Sequence, residues 1–344
     1  MCELLAVSSN RRVPISFTWL GFRQRGRIHR HGWGVAWYAT ERLAGMAKEP
    51  LPSFRSRIAP AVGREVRSHI MISHVRLLSE GSLSYVNTHP FIRRLWDRDW
   101  VFAHNGTVSE VLDDEVFRLE WCRPVGETDS EHAFCYMLER LSAESDGSVE
   151  SVAQTVWDVA REIGGFGRFN FLLSEGVHVY AHMNVPGTLY YVTRHPPHRG
   201  EISLVDEDFQ VRLGEMKMGD EYAAIIATAP LTDEEWTPMR PGTLYVFRGG
   251  NLLLTLDSRG PRLNLSPREA EALRIVRTSP HSVPLQEIAR QLGASAGEAE
   301  QIVGLLVAKG LLRGPNPLSK GRGEPLQYYT EPMYRPLLDR ALGL

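Results

Sequence analysis

The chain has 344 residues, of which 43% are hydrophobic and 23% are charged, a composition typical of a folded protein of about two domains. Because 39 basic residues nearly balance 41 acidic ones, its charge gives no general attraction to nucleic acid. No apolar run predicts a membrane span and no basic segment opens a signal peptide, so we expect a cytoplasmic protein without membrane contact. The three cysteines are an odd number, which argues against a disulfide framework.

Short β-like runs separated by turn residues extend from residue 1 to about residue 257. The predicted strands are Glu3–Ser8, Gly34–Ala39, Ile70–Val75, Trp100–Ala103, Asn170–Ser174, Val177–His182, Tyr222–Ala227, Leu244–Phe247 and Leu252–Leu256. Thr128 and Glu131 have the spacing of a capping box at the start of one helix, and a second helix is predicted from about 149 to 163. Two adjacent helices among many strands predict a layered α+β fold.

A turn-rich segment from Asp257 to Pro261 predicts a linker, which divides the chain into domains 1–257 and 258–344. The elements predicted after it are a helix capped by Ser266, a helix over Pro284–Leu292, a helix capped by Ser295, and the strands Gly310–Arg313 and Leu326–Tyr329. Three helices followed by two strands resemble a winged helix-turn-helix.

Cys2 is the first candidate for chemistry. If Met1 is removed, residue 2 carries a thiol and a free α-amine on one Cα, which combines a nucleophile and a base. The ordinary pKa of an α-amine, about 7.7–8.0, leaves a useful unprotonated fraction near neutrality. The alternative is a small core residue in the first strand, and Cys2 alone does not decide between them.

Asn105 and Gly106 follow the apolar strand that contains Trp100. An amide side chain and the next backbone N–H can point two hydrogen-bond donors at one developing oxyanion. Asn-Gly is also a strong hairpin-turn signal, so a plain turn is the alternative.

Arg76 ends another predicted strand, and Asp129 lies at a predicted helix start. A guanidinium suits a substrate carboxylate and a carboxylate suits a substrate ammonium, so the two could hold the α-carbon end of an amino acid. A surface ion pair for Arg76 and a helix-dipole carboxylate for Asp129 are the alternatives.

Six segments share the order and spacing of one family: Met1-Cys2-Glu3-Leu4-Leu5, His31-Gly32-Trp33-Gly34, His74-Val75-Arg76, Asn87-Thr88-His89-Pro90-Phe91, Ala103-His104-Asn105-Gly106 and Gly126-Glu127-Thr128-Asp129-Ser130-Glu131. Through them, residues 1 to about 250 resemble the class II glutamine amidotransferases, most of all their stand-alone bacterial branch. The resemblance implies the N-terminal-nucleophile αββα sandwich, in which two antiparallel sheets lie between helix layers.

The resemblance also implies roles for individual residues. Cys2 is the nucleophile that attacks the side-chain amide of glutamine and forms a γ-glutamyl thioester. Arg76 holds the α-carboxylate and Asp129 the α-ammonium, while Asn105 and Gly106 form the oxyanion hole. No metal or organic cofactor takes part in this scheme.

Two family positions are matched less closely. His89 and Trp33 are read as walls or supports of the substrate pocket, with plain packing as the alternative. After Arg76, the segment Leu77-Leu78-Ser79-Glu80 departs from the family's aminosugar-synthesising members, so the substrate-closing loop is expected to differ.

The expected activity is release of ammonia from glutamine, with any ammonia acceptor on another protein. One alternative is hydrolysis of another γ-glutamyl amide, and another is a glutamine-responsive DNA-binding regulator. The third C-terminal helix carries two acidic residues, Glu298 and Glu300, and one basic residue, Lys309, which is a poor match to the phosphates of DNA. Lys320 and Arg322, in the expected wing, are mildly favourable to DNA binding. A protein-contact or dimerisation role, for example in a homodimer, is therefore favoured over DNA binding for this domain.

Overall fold

The computed structural model of the chain describes residues 2–78, 81–198, 200–205, 210–212, 219–314 and 326–344. Its helices are α1 (Ser16–Gln24), α2 (Ala59–Glu65), α3 (Asp129–Glu144), α4 (Val149–Gly164), α5 (Pro267–Thr278), α6 (Leu285–Leu292), α7 (Ala296–Ala308) and α8 (Arg335–Leu342). Short 3₁₀ turns lie at Arg25–Arg27, Ser53–Arg55, Ser109–Leu112, Glu115–Phe117 and Pro332–Tyr334. Within the described residues, no helix combines the length and the apolar character that crossing a membrane requires.

Two seven-stranded antiparallel sheets form the centre of the molecule. In spatial order, sheet A contains β13 (Thr237–Pro238), β9 (Tyr190–Arg194), β12 (Ala223–Ala227), β1 (Glu3–Pro14), β4 (Arg67–Val75), β2 (Trp33–Tyr38) and β3 (Ala44–Glu49). Sheet B contains β16 (Gly260–Leu263), β15 (Asn251–Asp257), β14 (Leu244–Arg248), β8 (Val179–His182), β7 (Arg168–Ser174), β6 (Arg98–Thr107) and β5 (Phe91–Leu95). Two smaller sheets pair β10 (Glu201–Ser203) with β11 (Gln210–Arg212), and β19 (Gln327–Thr330) with both β17 (Val283–Pro284) and β18 (Leu312–Arg313).

Both large sheets are buried on their two faces. Leu4 of β1 and Ala103 of β6 belong to a hydrophobic cluster between the sheets. Leu5, the neighbour of Leu4, faces the opposite way and packs in a cluster with Trp19 of α1. On the outer face of sheet B, residues of β6 pack against α3 and α4. This order of helices, sheet, sheet and helices confirms the predicted α+β, αββα sandwich.

The nine predicted strands are all present, with ends that differ by a few residues, and both helices predicted before residue 257 are confirmed. Ala44–Glu49, Phe91–Leu95 and Tyr190–Arg194 are among the strands that the sequence pattern did not predict. The first of these is a half-buried edge strand made of Ala, Gly, Met, Lys and Glu, residues of low β-propensity.

The segment from Asp257 to Pro261, predicted as a linker, is a hairpin turn instead. Asp257 pairs with Gly260 and Leu256 with Pro261, so β16 extends sheet B beyond the predicted boundary. A single hydrophobic cluster also continues from α3 and α4 into the C-terminal helices. The division into domains 1–257 and 258–344 stays a proposal, and the two parts share a packed core.

The C-terminal part has the predicted three helices, α5 to α7, followed by the strands β18 and β19. Ser266 and Ser295 each form a complete capping box, as their spacing indicates. The short strand β17 and the final helix α8 were not predicted. The winged-helix assignment stays a prediction.

Cys122 and Cys135 form a disulfide bond, with a Cα–Cα distance of 5.3 Å. The argument against a disulfide framework is therefore wrong for these two cysteines. An odd number of cysteines excludes pairing of all three but leaves room for one bond. Cys2 is the free cysteine among the described residues.

Candidate active site

Strand β1 begins at Glu3 and places Cys2 beside the end of β4. Glu3 pairs with Val75, so the residue before Glu3 lies next to the residues after Val75. The Cys2 thiol donates to the carbonyl of Leu77 at 3.3 Å, and the Leu77 N–H lies 3.3 Å from the same sulfur. The free cysteine is thus held at the rim of sheet A and not inside its core, which disfavours the alternative of a core residue.

Burial raises the pKa of the Cys2 thiol, while the Leu77 N–H and the positive charge of Arg76 act in the opposite direction. The raised pKa keeps the resting sulfur protonated at neutral pH. A nucleophile at this position therefore needs a base within reach.

Asn105 and Gly106 lie inside β6, so the hairpin-turn alternative is wrong. They pair with Asn170 and Phe169 of β7. Asn105 is only 3% exposed, and its Oδ1 has no hydrogen-bond partner among the described residues. A Cβ on Gly106 would lie 1.8 Å from the carbonyl oxygen of Arg168, which explains why glycine is needed there.

One cavity of about 390 Å³ brings the predicted nucleophile and oxyanion-hole residues together. The described residues that line it are Cys2, Leu77, Leu78, Asn105, Gly106, Thr107 and Arg168. A thiol, an amide side chain and a strand backbone that face one space can act on the same carbonyl group.

Arg76 is 3% exposed and lies directly beyond β4. Its backbone N–H donates to the carbonyl of Gly32 at 2.8 Å, and its Nη1 donates to the carbonyl of Ser82 at 3.2 Å. Burial lowers the pKa of Arg76, while the charges of Cys2 and Asp129 raise it, so the three groups lie within electrostatic reach of one another. This burial contradicts the alternative of a surface ion pair.

Asp129 is the first residue of α3 and is 2% exposed. Its Oδ2 accepts the N–H of Val108 at 2.7 Å, and its Oδ1 accepts the N–H and O–H of Ser130 at 2.7 and 3.1 Å. A carboxylate has about four lone-pair positions, so one remains for a ligand cation. The position at the helix N-terminus also suits a helix-dipole carboxylate.

His89 and Trp33 are buried and are not among the described residues that line this cavity. The His89 ring packs 4.4 Å from His74 and 4.5 Å from Phe91, measured between ring centroids. Burial lowers the pKa of His89 well below its ordinary value, so its ring is neutral. The Trp33 ring centroid lies 5.8 Å from that of Trp19 of α1, between sheet A and its helices. Their geometry fits support and packing.

Asn87 has a structural role that the sequence reasoning missed. Its Oδ1 accepts the N–H of Glu127 at 2.8 Å, and its Nδ2 donates to the carbonyl of Ser82 at 3.1 Å. It thereby ties the loop that contacts Arg76 to the start of α3. The signal was its place in a family segment, Asn87-Thr88-His89.

Arg168 is the second residue that was missed. It begins β7, opposite Thr107 of β6, and is one of the residues that line the cavity with Cys2. Only the folding of two distant segments brings it there, so no local sequence pattern could have indicated it.

Glu3 anchors the start of β1 and gives a testable pH dependence. It accepts from Arg25 Nη1 at 2.6 Å and from the Thr228 hydroxyl, and it lies 3.6 Å from His29 Nε2. Burial alone would raise the pKa of Glu3, but the contact with the His29 ring and the charge of Arg25 lower it to about 2.

Because this pKa is lower in the folded state, the stabilisation is complete above the unfolded pKa of about 4.3 and is lost as pH falls toward about 2. We expect Glu3→Gln to lower the free energy of unfolding by about 3 kcal/mol at pH 7 and by much less near pH 2. Urea unfolding of both proteins across this range measures the difference. A gap that stays constant with pH would contradict the assignment.

The model of the family "Glutamine amidotransferases class-II" matches residues 1–271. YafJ of Escherichia coli, a predicted glutamine amidotransferase, is 36% identical over 255 residues, which cover 72% of this chain and 97% of YafJ. An uncharacterized protein of Methanocaldococcus jannaschii is 37% identical over 295 residues, 85% of this chain and 80% of that protein.

A solved structure has the same architecture. The crystal structure of a predicted glutamine amidotransferase from Pseudomonas aeruginosa aligns with a TM-score of 0.56 and 32% identity, over 73% of this chain and 99% of that one. The family match, the relatives and the fold agree with the resemblance that the six sequence segments indicate. The chain belongs to the class II glutamine amidotransferases.

Proposed function

We propose that this enzyme releases ammonia from glutamine with Cys2 as its nucleophile. The observation that supports the proposal most strongly is the shared cavity of Cys2, Asn105 and Gly106. The proximity of Arg76 and Asp129 adds one group for the α-carboxylate of glutamine and one for its α-ammonium.

Removal of Met1 would leave the α-amine of Cys2 free to take the thiol proton. Because the raised pKa of the Cys2 thiol keeps it protonated, the sulfur needs such a base before it can attack. The sulfur then attacks the side-chain carbonyl carbon of glutamine and forms a C–S bond. Negative charge moves to the carbonyl oxygen, which the Asn105 amide and the Gly106 N–H would stabilise.

Collapse of this intermediate breaks the C–N bond. The nitrogen leaves with the bonding electron pair and takes the proton from the α-ammonium of Cys2, so ammonia departs and a γ-glutamyl thioester remains. Water, deprotonated by the same amine, attacks the thioester and releases glutamate and the Cys2 thiol. An ammonia acceptor, if one is used, would be on another protein.

The C-terminal domain is proposed to make protein contacts, including those of a homodimer, more readily than DNA contacts. Lys309 directly follows the helix α7 but is only 4% exposed, and its Nζ donates to Glu269 at 2.6 Å and to the carbonyl of Asn264 at 2.7 Å. A lysine committed in this way cannot neutralise a phosphate. Lys320 and Arg322, the basic residues of the expected wing, lie outside the described residues.

Purified protein incubated with glutamine tests the proposal. We expect equimolar glutamate and ammonia, at a rate that depends on the loss of Met1. The two products are measured by enzyme-coupled assay and the N-terminus by mass spectrometry. Protein without Met1 that produces neither compound from glutamine or any other γ-glutamyl amide would refute the proposed catalysis.

A further inference from the structure

Arg168 is a charged group of the active-site cavity that the reaction described above does not use. It is the charged residue among the described residues that line the cavity, beside the thiol of Cys2, the amide of Asn105 and the hydroxyl of Thr107. Its Nη1 is buried and has no hydrogen-bond partner among the described residues. A guanidinium keeps its charge at all physiological pH values, so an anion is its natural partner.

The position of Arg168 follows from the register of sheet B. Arg168 pairs with Thr107, and Asn105 lies two residues earlier on the same strand. Side chains two residues apart on a strand share a face, so Asn105, Thr107 and Arg168 project toward the same side. The Arg168 side chain therefore lies on the same face of sheet B as the predicted oxyanion-hole residue Asn105.

Arg168 is separate from the residues assigned to the α-carbon of glutamine. Arg76 and Asp129 are almost fully buried and are not among the described residues on the cavity wall. The cavity of about 390 Å³ has the volume of roughly a dozen water molecules at about 30 Å³ each, which is room for a glutamyl side chain together with a group on its amide nitrogen. The space beside Cys2 can therefore hold a larger group on the amide nitrogen.

We propose that Arg168 binds a carboxylate on the amine that leaves, so that the preferred substrates are γ-glutamyl amides of amino acids or of other acidic amines. This inference rests on the proposed function, keeps its Cys2 mechanism and extends its substrates from glutamine to these amides. The chemistry is unchanged: the C–S bond forms, the C–N bond breaks, and the leaving nitrogen takes its proton from the α-ammonium of Cys2. Leu77 and Leu78 cover the apolar part of the same space.

Three amides of similar size distinguish the effect of the leaving group's charge on kcat/KM from the effect of its shape. The leaving amines are glycine, which is anionic, isobutylamine, which has the same shape without charge, and ethylenediamine, which is cationic. We expect the wild-type protein to have a higher kcat/KM for γ-glutamylglycine than for the isobutylamide. In Arg168→Gln we expect that ratio to fall by roughly 10- to 100-fold, the usual worth of a hydrogen bond to a charged group.

Two further variants distinguish a specific role of Arg168 from a simple loss of folding. Arg168→Glu should reverse the preference toward the ethylenediamine amide, a gain that a damaged protein cannot show. Arg64→Gln removes an exposed arginine of α2 and serves as the matched control, whose ratio should equal that of the wild type.

The outcomes separate this inference from the proposed function. Glutamate released from neither glutamine nor any of the three amides would refute both. Turnover of glutamine without turnover of the three amides would overturn the inference about Arg168 alone. Turnover with the same glycine-to-isobutyl ratio in wild type and Arg168→Gln would overturn the role of Arg168 alone. An equal loss with all three amides would assign Arg168 to the glutamyl part of the substrate and would also overturn it.

Discussion

Replacement of Cys2 by alanine is expected to abolish glutamate release from glutamine, with a fall in kcat on the order of 10⁵-fold. In the proposed mechanism the sulfur forms the covalent bond, and nothing else among the described residues of the cavity wall is an equivalent nucleophile. Thr107 has a hydroxyl, but none of the described residues on that wall is a histidine or a carboxylate that could take its proton. Steady-state glutamate production measures the loss.

The two other cysteines provide the matched control for this experiment. Cys122 and Cys135 are bonded to each other, between the loop before α3 and the buried face of that helix. The double variant Cys122→Ser, Cys135→Ser should unfold at a lower temperature and still turn over glutamine below that temperature. Full activity in Cys2→Ala, or complete loss in the folded double variant, would contradict the role of Cys2.

Replacement of Asn105 by alanine is the change with the second largest expected effect. Removal of one oxyanion-hole donor costs about 100- to 1000-fold in kcat, so the loss should be severe but smaller than that of Cys2→Ala. Because the amide acts on charge that develops only in the transition state, KM should change little. Comparison of kcat and KM with glutamine checks both statements.

Asn251 is a matched control for Asn105. It is 1% exposed, and its Oδ1 likewise has no partner among the described residues, but it lies on β15 and lines a different cavity. Asn251→Ala should lose stability of a similar size while keeping kcat. If Asn105→Ala keeps full kcat, or if both variants lose it equally, the oxyanion assignment is wrong.

Much of the fold could be predicted because its strands are apolar and clearly bounded. Buried strands such as β12, Ala-Ala-Ile-Ile-Ala, are apolar along their length because they pack on both faces. Phe91–Leu95 escaped prediction because Arg93 and Arg94 interrupt it, although Arg93 pairs with the buried Glu131 of α3. That pairing depends on tertiary structure, which no window of sequence contains.

Local sequence patterns indicated the positions of some site residues and not of others. Arg76 lies at a strand end and Asp129 at a helix start, as their local patterns indicate. Asn-Gly, in contrast, favours a turn, and only pairing with β7 keeps Asn105 and Gly106 extended inside β6. Arg168 reaches the Cys2 cavity through that same pairing, so its place could not be read from neighbouring residues.

The central claim is that Cys2 carries the γ-glutamyl group during turnover. Acid quenching of the enzyme during reaction with glutamine, followed by mass spectrometry of its N-terminal peptide, tests this most directly. We predict a peptide that begins at Cys2, lacks Met1 and carries one γ-glutamyl thioester that hydroxylamine removes. Active enzyme that retains Met1, or whose γ-glutamyl group is found on a residue other than Cys2, would contradict it.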